Sequence, residues 1–183
     1  EKRSMIDQIQ RADRLLFFPF DKVDPFLRLL NEAAERPDGL SIKITIYRLA
    51  STSKIARALC RAAENGKEVT VLMELRARFD EENNINWSKV LEESGCQIIY
   101  GVEGFKCHSK ICLITMRQGE KLSYISQLGT GNYNEKTNKM YTDLSLLTAD
   151  PAIGLDGTVF FQNMLLGNLE GKYEKLLVAP NGI

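Results

Sequence analysis

The chain has 183 residues, 44% hydrophobic and 26% charged, and its 24 basic and 24 acidic side chains cancel to a formal charge of zero. That make-up fits one ordinary globular domain, or one domain with pieces of its neighbours, and excludes a long-range pull on nucleic acid or an anionic membrane. No apolar run approaches the roughly 18 residues that suggest a membrane span, and residues 1–5 lack a signal-peptide core.

In chain order, residues 1–13 predict a lead-in helix or linker, and 14–18 (Arg-Leu-Leu-Phe-Phe) a buried strand closed by Pro19. An amphipathic helix then starts at Asp24-Pro25 and is stopped by Pro37-Asp38-Gly39, followed by a strand over 41–48. A helix over 53–65 ends at Gly66, a strand covers 68–75, and a helix over 80–94 shows Ile85, Val90 and Leu91 as its apolar stripe. A strand at 97–100 completes an alternation that argues for a parallel sheet covered on both faces. The pattern then changes. Cys107 to Met116 and Lys121 to Leu128 predict an antiparallel hairpin, followed by the loop Gly129-Thr130-Gly131-Asn132, a strand near 143–147 and a last helix over 151–166.

The run Leu176-Leu177-Val178-Ala179-Pro180 echoes Leu15-Leu16-Phe17-Phe18-Pro19, as a duplicated domain would. On that basis 14–170 is the first half of a duplicated site and 171–183 the start of a following domain. With glutamate at position 1, the expectation is a segment excised from a longer polypeptide. Four cysteines (Cys60, Cys96, Cys107, Cys112) lack the spacing of a zinc site or disulfide framework and fit a reducing cytoplasm.

The only histidine, His108, stands two residues before Lys110 on a predicted strand, which would turn both side chains to one face. A neutral imidazole is a good nucleophile toward phosphorus, and an ammonium beside it neutralises the oxygens of the group being transferred. The glycine loop can present N–H groups, the Thr130 hydroxyl and the Asn132 amide to an anion. Arg48, Arg76 and Arg78 follow strand ends, where open parallel sheets bind ligands, and Tyr141 can stack on a base. Each feature has a plainer reading. The histidine can simply be packed, the loop a tight turn, the arginines paired with Asp80, Glu81 or Glu82, and Tyr141 part of the core. Asp24, Asp38 and Asp156 look like caps and turns.

Taken together, Lys43–Arg48, Glu74–Asn83, Lys106–Lys110, Leu128–Thr137 and Met140–Asp150 resemble polyphosphate kinase of the phospholipase-D-like type. The resemblance implies a three-layer α/β/α fold with a mixed, mostly parallel sheet. It implies that His108 takes the γ-phosphate of ATP and donates it reversibly to polyphosphate, with Mg²⁺ present and ATP or ADP as substrate. Lys110 would act beside it in catalysis, and Lys110, Thr130 and Asn132 would hold phosphate oxygens. Arg48 and Arg78 would lie at the magnesium and phosphate site, and Tyr141 would contact the nucleotide. The parent protein would be a homo-oligomer in the cytoplasm, with peripheral membrane association allowed and no nucleic-acid partner. A second homologous half supplies a further His in such enzymes, so the chain alone is expected to be inactive. The phosphodiesterases of the superfamily carry Asp where this chain has Thr115, which weakens a nuclease or lipase reading. That reading and a non-catalytic phosphate-binding module are the alternatives.

Overall fold

The computed structural model describes residues 3–74 and 81–182. Its elements are α1 (Met5–Arg11), β1 (Arg14–Phe18), α2 (Asp24–Glu35), β2 (Gly39–Ile46), α3 (Lys54–Glu64), β3 (Glu68–Met73), α4 (Glu81–Glu93), β4 (Gln97–Ile99), β5 (Ile111–Gln118), β6 (Lys121–Gly129), β7 (Asp143–Thr148) and α5 (Pro151–Leu166). A single 3₁₀ turn, Thr137–Lys139, links β6 to β7.

Helices α3 and α5 begin where the sequence supplies caps. Ser53 accepts the Ala56 N–H at the start of α3, and Asp150 accepts those of Ala152 and Ile153 ahead of Pro151 in α5, each satisfying a donor with no partner inside the helix. Gly167, at φ 67°, ends α5 in the left-handed conformation that a Cβ would disfavour.

Among the described residues, seven strands form one sheet in the order β1-β7-β6-β5-β2-β3-β4. Period-two alternation along β5 divides two cores. Cys112, Ile114 and Met116 face a layer containing α1, α2 and α3, and Ile111 and Leu113 face the α5 layer. Each fully buried Leu or Phe in these layers contributes about 1.5–3 kcal/mol. Gly154 lets α5 settle on β6, since a Cβ there would lie 2.7 Å from Cδ2 of Tyr124.

The three-layer mixed sheet is the expected architecture, but its balance differs. Among the described residues only β2–β3 and β3–β4 are parallel, while β1–β7, β7–β6, β6–β5 and β5–β2 are antiparallel. The cause is where the hairpin goes. β5 pairs with β2, so β6 and β7 are laid between the βαβ unit and β1, a pairing that local periodicity does not encode. β1 is therefore an outer edge rather than a buried strand, with Leu15 61% exposed.

One further expectation is corrected. In α4 the buried positions are Asn84, Ser88 and Leu91, while Ile85 and Val90 are each 42% exposed. The lead-in segment is a helix built into the domain, with Met5, Ile6 and Ile9 buried in the first core and Met5 N–H donating to Glu32. The stretch expected to open a following domain packs here through Tyr173, Leu176 and Val178 onto the second core.

Candidate functional site

Strand direction gathers the candidate residues along one end of the sheet. The C-terminal ends of β2 and β3 lie beside the N-terminal end of β5, the C-terminal end of β6 and the N-terminal end of β7. Tyr47, Arg48 and Glu74 thus follow their strands, Lys110 precedes β5, and Gly129 and Asp143 end β6 and begin β7, all on the same edge. His108 and Lys110 are not within a strand, because β5 begins at Ile111. Their approach is fixed by Thr45 of β2, whose hydroxyl donates to Ser109 O at 2.8 Å and accepts Ile111 N–H at 3.1 Å. Gly129 N–H closes the other side on Lys110 O at 2.9 Å.

Tyr47 is the hub of the cationic cluster. Its ring lies 4.9 Å from the His108 imidazole at 80°, an edge-to-face contact. Lys110 Nζ and Arg48 Cζ each lie 5.6 Å from its centroid, within cation–π reach. Lys110 is buried and its ammonium donates to His108 O. Burial, then the charges of Lys110 and Arg48, push the His108 pKa below its usual value. The exposed imidazole is therefore neutral at physiological pH and keeps a lone pair on one ring nitrogen. Burial likewise lowers the Lys110 pKa, opposed by Cys107 and Asp143.

A buried amide holds the hub in place. Asn84, 0% exposed on α4, donates to Tyr47 O and Glu74 O, both at 2.9 Å, and accepts Leu49 N–H at 3.2 Å. It ties the exit of β2 to the exit of β3. Neither Tyr47 nor Asn84 was singled out from sequence. The signal for Asn84 was a polar residue at the first of three positions, 84, 88 and 91, that face the core.

The glycine loop is placed differently from expectation. Thr130 Oγ1 donates to Asp143 Oδ1 at 2.8 Å and accepts Leu144 N–H at 3.0 Å. Gly131 is required beside it, because a Cβ would sit 2.6 Å from Asp143 Cγ. Asn132 lines a separate small pocket with Phe26 and Tyr133, and its Oδ1 is buried there without a hydrogen-bond partner. Tyr141 is 60% exposed and lines none of the clefts described here. Arg76 and Arg78 fall outside the described residues.

His108 and Lys110 line a cleft of about 470 Å³ whose other walls are largely apolar, among them Leu128, Phe160, Met164 and Leu176. The cleft offers the His108 imidazole, the Lys110 ammonium and walls with few groups to hold water, while Arg48 lies over the same Tyr47 ring without lining the cleft. It does not offer a metal cage. Among the described residues no group of three His, Cys, Asp or Glu side chains could hold an ion, and a guanidinium has no lone pair for one. Arg48 could therefore serve a magnesium site only indirectly.

A family model described as "Polyphosphate kinase C-terminal domain 1" matches residues 4–170. A curated polyphosphate kinase of Lactiplantibacillus plantarum is 47% identical over 183 residues, covering 100% of this chain and 25% of its own length. The crystal structure of polyphosphate kinase from Porphyromonas gingivalis matches with a TM-score of 0.85 at 40% identity, over 97% of this chain and 30% of that one. Nuc, a phospholipase D family member from Salmonella typhimurium, matches with a TM-score of 0.63 at 14% identity over 90% of this chain and 99% of that chain, and so shares the fold. The chain spans about a quarter of the length of the curated relative.

Proposed function

Because this chain belongs to the polyphosphate kinase family, as its C-terminal domain 1, we propose that it carries the nucleophile of that reaction. His108 accepts the γ-phosphoryl group of ATP and passes it, reversibly, to the end of an inorganic polyphosphate chain. The observation that supports this reading is the neutral imidazole set edge-on to Tyr47, with Lys110 and Arg48 on the same ring.

In the first step the lone pair of an imidazole nitrogen forms a bond to the γ-phosphorus as the bond to the bridging oxygen breaks, and ADP leaves. In the second, a terminal oxygen of polyphosphate forms the new P–O bond as the P–N bond breaks, returning neutral His108. Phosphoryl transfer needs little covalent help, so positioning and charge neutralisation carry most of the acceleration. Lys110 and Arg48 supply positive charge where the transferring oxygens gather. Depressing the His108 pKa keeps the nucleophile available at neutral pH.

Thr130 serves this site by orienting Asp143. Arg78 is proposed as a further phosphate contact, Asn132 as a support for the glycine loop, and Tyr141 as an exposed stacking surface for the nucleotide. Since the chain spans a quarter of its relative's length, it acts as one domain of a longer enzyme and is inactive by itself.

The test is labelling. The polypeptide that carries this domain, given ATP labelled in the γ-phosphate, acquires an acid-labile phosphoryl group at His108. Unchanged labelling in the His108→Ala variant would overturn the proposal.

A further inference from the structure

Asp156 has the sequence look of a cap, yet its carboxylate caps nothing in α5. It is 5% exposed and accepts three successive backbone N–H groups from a distant segment, those of Glu174 at 2.9 Å, Lys175 at 2.6 Å and Leu176 at 2.8 Å. Burial by itself pushes this carboxyl pKa up, but the three N–H groups and the Lys175 charge outweigh it and hold the pKa below the usual range. The carboxylate is thus ionised at neutral pH.

Residues 168–178 belong to no helix or strand, so their backbone depends on such outside partners. Asn163, also on α5, adds a second fixing point. Its Nδ2 donates to Tyr173 Oη at 3.1 Å, and its Oδ1 accepts Asn168 Nδ2 at 3.0 Å. Beyond the Asp156 contact the same segment, Leu176 to Pro180, forms one wall of the His108 cleft. That wall has no side-chain hydrogen-bonding group in the run Leu-Leu-Val-Ala-Pro.

Building on the phosphohistidine reading, we propose that Asp156 is a positioning residue: it holds the strap 174–180 as the water-excluding wall of the His108 cleft, so that the phosphoryl group goes to a phosphate acceptor rather than to water. The competing step is simple hydrolysis. A water oxygen forms a bond to phosphorus as the P–N bond breaks, the electron pair of that bond returns to the imidazole nitrogen, both water protons leave with the inorganic phosphate, and His108 returns neutral. An apolar wall slows that step by lowering the water available at the phosphorus. It leaves transfer to a bound polyanion untouched.

The partition between the two fates is the readout, because general loss of folded protein lowers both equally. The polypeptide carrying this domain is phosphorylated with γ-labelled ATP and freed of nucleotide. It is then chased with inorganic polyphosphate, and label is counted in inorganic phosphate and in polyphosphate. Losing one charge-assisted hydrogen bond shifts a local opening equilibrium about tenfold or more, so Asp156→Asn is expected to raise the ratio of hydrolysis to transfer by about that factor. Val178→Thr is the second variant. Val178 lines the cleft and is partly buried against the second core, and threonine keeps its shape, so the change brings a water-holding hydroxyl to the wall with little loss of packing and raises the ratio in the same direction. An unchanged ratio in both variants, with His108 still labelled, overturns the strap proposal alone. No label in the unsubstituted protein overturns the phosphohistidine reading beneath it.

Discussion

Replacing Asn84 with alanine separates a structural role from a catalytic one at a distance from His108. The substitution removes three hydrogen bonds, to Tyr47 O, Glu74 O and Leu49 N, from a side chain that is 0% exposed. A buried backbone group left without its partner costs about 1–3 kcal/mol, and water entering the space left by the amide recovers part of that for the two carbonyls. The net expectation is a loss of about 3 kcal/mol, a large share of the roughly 5–15 kcal/mol of a typical domain. The chain has a single tryptophan, Trp87, whose Nε1 donates to Ala50 O at 2.9 Å, so urea unfolding can be followed by its fluorescence. The midpoint should fall with the slope unchanged. Histidine labelling per folded molecule should fall too, because the exit of β2 carries Tyr47 and Arg48. A stability change below about 0.5 kcal/mol, within the range of ordinary surface substitutions, would refute the assignment of these bonds. A large loss with labelling intact would refute the link from Asn84 to the site.

Other substitutions test the cluster directly. Tyr47→Phe keeps the ring that His108, Lys110 and Arg48 touch, so labelling should stay within about twofold, whereas Tyr47→Ala should cost about tenfold or more. With one histidine in the chain, its imidazole gives one NMR titration; the midpoint should lie below that of a free histidine, and Lys110→Met should move it upward. The sign for stability follows: the unfolded chain binds the proton more readily, so stability falls as pH drops through about 6.5 toward the lower folded value. A midpoint unmoved by Lys110→Met would remove the ammonium as a cause. Gly131→Ala should displace Asp143, with which its Cβ would collide, break the Thr130 contact and slow transfer, as measured by polyphosphate formation from ATP. Full activity in that variant would rule out a role for the loop geometry.

Much of the local structure was legible because its causes are local. Ser53, Asp150-Pro151 and Gly167 mark helix ends by hydrogen bonds and φ preferences that act within a few residues. Period two placed β6 near its observed bounds and found β5 while starting it four residues early, and period 3.6 placed α2, α3 and α5. His108, Lys110 and Arg48 could be named because imidazole, ammonium and guanidinium have few chemical uses together.

What the sequence could not carry was decided by long-range pairing. Whether β5 pairs with β2 or with another strand depends on which faces bury most surface once the helices are docked, and that choice made the sheet mostly antiparallel and left β1 at its edge. It also gathered Thr45 and Tyr47, Lys110, and Asp143 from three separate segments onto one end of the sheet. The frame in α4 was lost for a related reason. A buried asparagine is favourable only when three backbone groups converge on it, and that convergence exists only after β2 and β3 lie side by side. Asp156 belongs with it: a carboxylate in the sequence says nothing of the three amides that tertiary folding brings to it. The chain thus specified most of its elements and its candidate nucleophile by local chemistry, while the sheet order, the Tyr47 hub and the wall of the cleft followed from packing between residues far apart in sequence.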